Sequence, residues 1–196
     1  MSRETELRVF TIGYSTRSFE EFMELLQIYG ITLLLDIRAV PQSRHNPQIN
    51  KESLPISLKS FGIKYIHLPK IGGYRHPKSD STNLALEGQF RGYADYMQTK
   101  EFTDALLKIV ALARENCTAL MCSEALPYKC HRNLVSDALT ARHVWVQHII
   151  AKESLVTHRL HELAQVDGFK VTYPLYPKKT PQRTLGDFET EDMPNS

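Results

Sequence analysis

Long apolar runs are missing from this sequence: none approaches the ~20 residues that a helix needs to cross a bilayer, so no membrane partner is expected. The first residues, MSRETELR, are polar where a secretory leader would be apolar, which predicts a cytoplasmic location. Cysteine is scarce. Three residues, an odd number without paired spacing, exclude a disulfide framework and predict reduced thiols. Net charge is small as well, +2 from 24 basic and 22 acidic residues, too little for bulk attraction to a phosphate backbone. Its distribution is uneven, because the terminal stretch GDFETEDMPNS holds much of the acid and leaves the preceding loops basic.

What is present is a chain of 196 residues, 42% hydrophobic, enough for one substantial core. We expect one α/β domain over residues 1–174 and an extended or disordered tail over 175–196, where Pro, Lys, Thr and acid take over. RVFTI (8–12) reads as a strand, and Ser18 with Glu21 forms a capping box for a helix with Phe22, Leu25 and Leu26 on one face. ITLLLDIR is an apolar run of strand length, as in a parallel strand buried on both faces. A short helix around Leu54 and Leu58, a strand KYIHLP, a helix from Thr99 to Asn116, a strand CTALM, a helix from His131 to Arg142 and a strand VWVQHII follow. Residues 70–89 lack periodicity and read as a functional loop or lid. The spacing then predicts a last helix over 154–166, with His158 and His161 on its solvated face, and VTYP as one more edge strand; Trp145 is expected in the core. Alternating strands and helices predict an open, mostly parallel, Rossmann-like sheet of five to six strands with helices on both faces. Ligands in such sheets bind beyond the carboxyl ends of the strands.

The residues at those ends are Gly13, Tyr14 and Ser15; Asp36, Arg38 and then Arg44; His67; Cys122 and Glu124; and His148. The richest segment is ALMCSEALPYKCHR, in which an apolar strand runs into Cys122, Glu124, Cys130, His131 and Arg132 just before a helix. A thiol facing a helix start meets unpaired N–H groups and the positive end of the dipole, which favour a thiolate or a bound anion. Glu124 is expected to pair with Arg38 or Arg132, since a buried carboxylate needs a partner. The arrangement invites comparison with rhodanese-like and low-molecular-weight phosphatase loops, but nine residues separate Cys122 from Arg132 where those loops have about five, so the analogy is architectural only. Cys122, Cys130 and His131 also make a soft donor set suited to zinc or iron, although Cys-x7-Cys-His is not a recognised zinc spacing.

TIGYSTRSFEEFMELL, DIRAVPQSRHNPQIN, GIKYIHLPKIGGYR, FRGYADYMQTKEFTDAL, ALMCSEALPYKCHRNLVSDAL and VQHI, in this order, closely resemble the domain of unknown function 488 family over about residues 8–174. The resemblance implies an α/β fold. It places family pattern positions at Gly13, Ser15, Asp36, Arg38, Pro41, Ser43, Arg44, Tyr65, Gly72, Gly73, Tyr93, Cys122, Glu124, Cys130, His131 and Arg132, with Tyr14 where the family has His. It implies no particular activity.

Three functions fit the residues. The first is an enzyme acting on an anionic small molecule, nucleotide or nucleic acid, with Cys122 as nucleophile and Glu124 as general acid or base. In it Ser15, Arg38, Arg44, Arg75, His131, Arg132 and Tyr93 bind the anion or substrate, and Tyr74, Tyr93 and Tyr96 offer stacking surfaces. The second is a metal protein holding zinc or iron on Cys122, Cys130 and His131. The third is a non-catalytic nucleic-acid-binding module.

Overall fold

The computed structural model describes residues 7–44 and 46–175. Its centre is a six-stranded sheet built from β1 (Arg8–Gly13), β2 (Leu33–Asp36), β3 (Lys64–His67), β4 (Thr118–Cys122), β5 (Trp145–Ala151) and β6 (Ser154–Thr157), in the order β3-β2-β4-β1-β5-β6. All neighbours run parallel except β6, which folds back on β5. The predicted open α/β architecture is therefore present, its apolar runs LLLD and TALMC forming the interior strands with every residue buried.

Strand alternation divides these runs between two cores. On one face α1 (Phe19–Ile28) and α2 (Leu54–Ser60) pack Phe22, Leu25, Leu54 and Leu58 against Phe10, Ile12, Leu34 and Met121. On the other, α3 (Gly88–Tyr96), α4 (Lys100–Glu115) and α5 (Arg132–Thr140) pack Tyr93, Phe102, Leu106 and Val135 against Val9, Leu33, Leu35 and Leu120. The caps read from the sequence are in place: Ser18 Oγ accepts from Glu21 N at 3.1 Å, and Thr99 Oγ1 from Phe102 N at 3.2 Å. α1 carries the chain from β1 toward β2 on one face while α5 carries it from β4 to β5 on the other. At the carboxyl edge the segments after β2, β3 and β4, with the first turns of α3, wall a cleft.

Four expectations need correction. The predicted helix over 154–166 does not form: residues 154–157 are β6, joined to β5 across a tight turn at 152–153, and a separate hairpin follows from β7 (Gln165–Asp167) and β8 (Lys170–Thr172). VTYP accordingly contributes to this hairpin and not to the main sheet. His158 is buried instead of solvated, because its Nε2 donates to Asp137 Oδ1 on α5 at 2.8 Å. Trp145, at the start of β5, is 38% exposed and lies under the guanidinium of Arg8 instead of in the core. Among the described residues no helix is long and apolar enough to cross a membrane, and the expected tail lies, from residue 176 onward, outside them.

Candidate functional site

The end of β4 is fastened to the end of β1. Gly13 pairs with Cys122 in the sheet, and Tyr14 N and Ser15 N donate to the carbonyls of Cys122 and Ser123 at 2.9 and 2.8 Å. A Cβ at Gly13 would overlap the Glu124 carbonyl, so the bare backbone is what permits this approach. Beyond Cys122 the chain leaves the sheet, makes one 3-10 turn at Pro127–Lys129 and returns at Cys130 and His131 to start α5. The return brings three donor atoms together. Cys122 Sγ, Cys130 Sγ and His131 Nδ1 all lie within 4.8 Å of one another, with Nδ1 at 4.0 Å from the first sulfur and 3.6 Å from the second.

His131 is oriented by distant parts of the chain. Its Nε2 lies 3.3 Å from the carbonyl oxygen of Ile37, just past β2, so Nε2 carries the proton and Nδ1 turns its lone pair toward the sulfurs. Tyr93 stacks obliquely on the ring at 5.2 Å, itself fixed by donation from its hydroxyl to the Ile71 carbonyl at 2.7 Å. On the far side Gly73 leaves the ring room.

The two thiols are electrostatically unequal. A hydrogen bond from Cys122, followed by the charge and N–H groups of Arg132, overcomes the effect of burial and lowers Cys130 to about 6. The same hydrogen bond, seen from the donor, combines with burial to push Cys122 up to about 12, against a smaller opposing effect of His131. One proton is thus retained on Cys122 and shared toward Cys130, whose negative charge answers the Arg132 guanidinium at the start of α5.

Around this centre is a cleft of about 420 Å³, whose walls include Arg38, Val40, Gly73, Tyr74, Gln89, Phe90, Glu124 and Lys129. Arg38 is in the wall but engaged: its Nε and an Nη bind Asp36 at 2.9 and 2.6 Å, and the same Nη reaches the Ile49 carbonyl at 2.7 Å. Tyr65 completes the cluster by donating to Asp36 at 2.7 Å, and burial together with that carboxylate raises the Tyr65 phenol far above its ordinary value. Beside it His67 Nε2 bonds the Arg38 carbonyl at 2.9 Å. Arg132 is buried and spends its guanidinium on the carbonyls of Glu124 and Ala125, while its Nε donates to Cys130 Sγ at 3.5 Å.

Glu124 does not make the expected pair with Arg38 or Arg132. The loop has already left the sheet at this position, so its carboxylate is exposed at the cleft and accepts from the nearby Leu126 N at 3.3 Å. The remaining residues singled out in the sequence lie apart. Arg44 is exposed beside a neighbouring hollow with Ser43 and Asn50, Arg75 lies 3.9 Å over the Tyr96 ring, and Ser15 is outside the cleft. Tyr14 packs against Phe22 on the α1 face. His148 is not at a strand end at all: it lies within β5, where Nδ1 meets Thr11 Oγ1 at 2.7 Å and Nε2 meets His158 Nδ1 at 3.0 Å. Gln89 and Phe90 also line the cleft and carry no site signal in the sequence, where only Gln89 falls at the end of the expected loop and two glycines mask the helix that both residues open.

The chain belongs to the family described as Domain of unknown function DUF488, which matches over residues 18–139. That span includes the whole cleft centre and leaves out Gly13 and Ser15. No curated protein matches the chain, and no solved structure does.

Proposed function

We propose that the protein is an enzyme whose catalytic centre is a single zinc- or iron-class cation held by Cys122, Cys130 and His131, with a remaining coordination position turned to the cleft. The observation that carries this reading is the spacing of the donors. A tetrahedral zinc ion with ordinary bond lengths sets sulfur and nitrogen about 3.6 Å apart, and the two sulfur–nitrogen distances are 3.6 and 4.0 Å before any ion draws them in. The Ile37 carbonyl on the other imidazole nitrogen supports the reading, because metal-bound histidines are commonly fixed by such an acceptor. Three protein ligands with an open fourth position is the arrangement of catalytic sites, whereas structural sites are closed. A cation there would activate water or polarise a substrate oxygen. Glu124, exposed at the rim, is placed to exchange protons with such a group, and Lys129 to meet an anionic substrate.

The anion-binding part of the reading is thereby narrowed. Arg38 and Arg132 each commit Nε and one Nη within the protein, and Lys129 is an exposed cation in the cleft wall that a small anion would meet. With Glu124 beside it, the cleft lacks the continuous basic face that a nucleic-acid-binding module would need. In the reducing cytoplasm both sulfurs would be available as ligands.

A second reading is favoured by the lowered Cys130: a metal-free enzyme in which Cys130, more than Cys122, is the nucleophile and Cys122 holds its proton. Elemental analysis of the purified chain separates the two. The metal reading expects one equivalent of zinc or iron, lost in Cys130→Ala and in His131→Ala. Absence of metal after reconstitution with zinc under reducing conditions would overturn it and leave the thiol reading.

A further inference from the structure

Two cysteine sulfurs within 4.8 Å of each other, both in the wall of a solvent-connected cleft, are also a pair that can be joined. Seven residues separate Cys122 from Cys130, and among them the chain makes only one 3-10 turn, so the loop has no long element to resist closing the gap to a disulfide bond of about 2.05 Å. The third thiol, Cys117, precedes β4 at the opposite edge of the sheet and cannot compete for either partner. The two sulfurs also differ in surroundings. Arg132 directs an N–H at Cys130 Sγ and stabilises negative charge there, while Cys122, at the end of β4, has His131 Nδ1 4.0 Å away.

We infer that Cys122 and Cys130 form a redox-active pair, in which Cys130 reduces a small hydroperoxide and Cys122 resolves the product as an intramolecular disulfide. In the first step the Cys130 thiolate attacks the terminal peroxide oxygen. The O–O bond breaks, Cys130 becomes a sulfenic acid, and the alkoxide or hydroxide that leaves takes a proton from solvent. In the second, Cys122 gives up its proton and attacks the Cys130 sulfur; the S–O bond breaks, hydroxide leaves with that proton as water, and the S–S bond forms. The two thiols supply two electrons and the hydroperoxide accepts them, and a dithiol reductant restores the pair. The large, open cleft admits a molecule as small as hydrogen peroxide even though both sulfurs are nearly buried. This activity stands on the two sulfurs and not on the proposed cation, although a disulfide would leave His131 without its two partner ligands.

The experiment treats the full chain, stripped of metal with a chelator and fully reduced, with an equivalent of hydrogen peroxide, followed by intact-mass measurement and peptide mapping. The expected result is loss of two hydrogen atoms, a Cys122–Cys130 cross-link and its reversal by dithiothreitol, with Cys117→Ser behaving as wild type. In Cys122→Ser the first step should remain and the second should not, so a sulfenic acid becomes trappable at Cys130 by dimedone. Thiols that stay alkylatable while free glutathione in the same tube is oxidised, or a cross-link that includes Cys117, would overturn the inference. Zinc binding without a cross-link rejects this pair and spares the metal reading; a cross-link in a chain that takes up no zinc does the reverse.

Discussion

Gly73 and His131 are in reciprocal contact: a Cβ added at position 73 would lie 2.5 Å from His131 Nδ1, the atom that faces the two sulfurs. The space that glycine leaves is the space the imidazole occupies. Neither residue is near the other in sequence, and the fit depends on the segment after β3 being laid against the start of α5.

Gly73→Ala should therefore weaken the proposed metal centre while leaving Cys122, Cys130 and His131 in the sequence. The ring must turn or shift, and zinc affinity should fall by roughly 10- to 100-fold, the scale on which changes behind a first ligand act. Competition against a chromophoric chelator measures this, with circular dichroism to show that the fold persists. Unchanged affinity would mean that His131 does not bind through Nδ1.

Alkylation of the metal-free chain should report the inequality of the thiols. Iodoacetamide is expected to modify Cys130 with a rate that rises through an apparent pKa of about 6 and to leave Cys122 largely unmodified at neutral pH. Since the Cys122 hydrogen bond is the leading cause of the lowered value, Cys122→Ala should move the Cys130 profile to higher pH. Mass spectrometry of peptides alkylated across pH 4–10 distinguishes the sites, and a Cys130 profile indifferent to Cys122→Ala would contradict the shared proton.

Acid should weaken the fold through His148. Burial, then His158 and Arg132, lower His148 to about 3, while the imidazole titrates near its ordinary value of 6.5 in the unfolded chain. Unfolded chains thus take up a proton that the folded protein refuses. Stability is fully present above about pH 6.5 and falls by up to about 1.4 kcal/mol per pH unit as the pH drops toward 3. The groups facing this ring are Thr11, His158 and, through His158, Asp137, which also accepts from the Tyr173 hydroxyl at 2.6 Å. Urea titrations between pH 4 and 8 should show a shallower slope for His148→Gln than for wild type; parallel slopes would remove His148 from the account.

Asp36→Ala should cost about 3–5 kcal/mol, because it leaves the buried Arg38 guanidinium unpaired and strips Tyr65 of its acceptor. A fall in the thermal midpoint of the purified variant checks this. A loss below 1 kcal/mol would indicate that water takes over the carboxylate's place.

Much of the scaffold could be read from residues because it follows from local pattern. LLLD and TALMC declare buried strands by apolar run length, and Ser18 and Thr99 declare helix starts by hydrogen-bonding capacity. The donor set was equally visible, since Cys122, Cys130 and His131 fall within ten consecutive positions. What stayed hidden was decided by partners far along the chain. In SLVTHRLHELAQV, Leu155, Val156, Leu160 and Leu163 imitate a helical face, yet the segment gains more by pairing SLVT with β5 and giving His158 to Asp137. Helix α3 hid behind two glycines, one of which, Gly92, lies against the Arg75 backbone so closely that a Cβ would meet the carbonyl oxygen at 2.5 Å. Glu124 looked buried because it follows a buried strand, and only the path of the loop shows that it faces solvent.

The carbonyl of Ile37, the void at Gly73 and the ring of Tyr93 come from three stretches remote from the fragment that supplies the ligands. A short peptide with the sequence of that fragment would carry every donor and none of the preparation. On the proposed reading, affinity for an ion would be a property of the finished molecule, and occupancy would tighten the joints between β2, α3 and α5 as surely as those joints ready the donors.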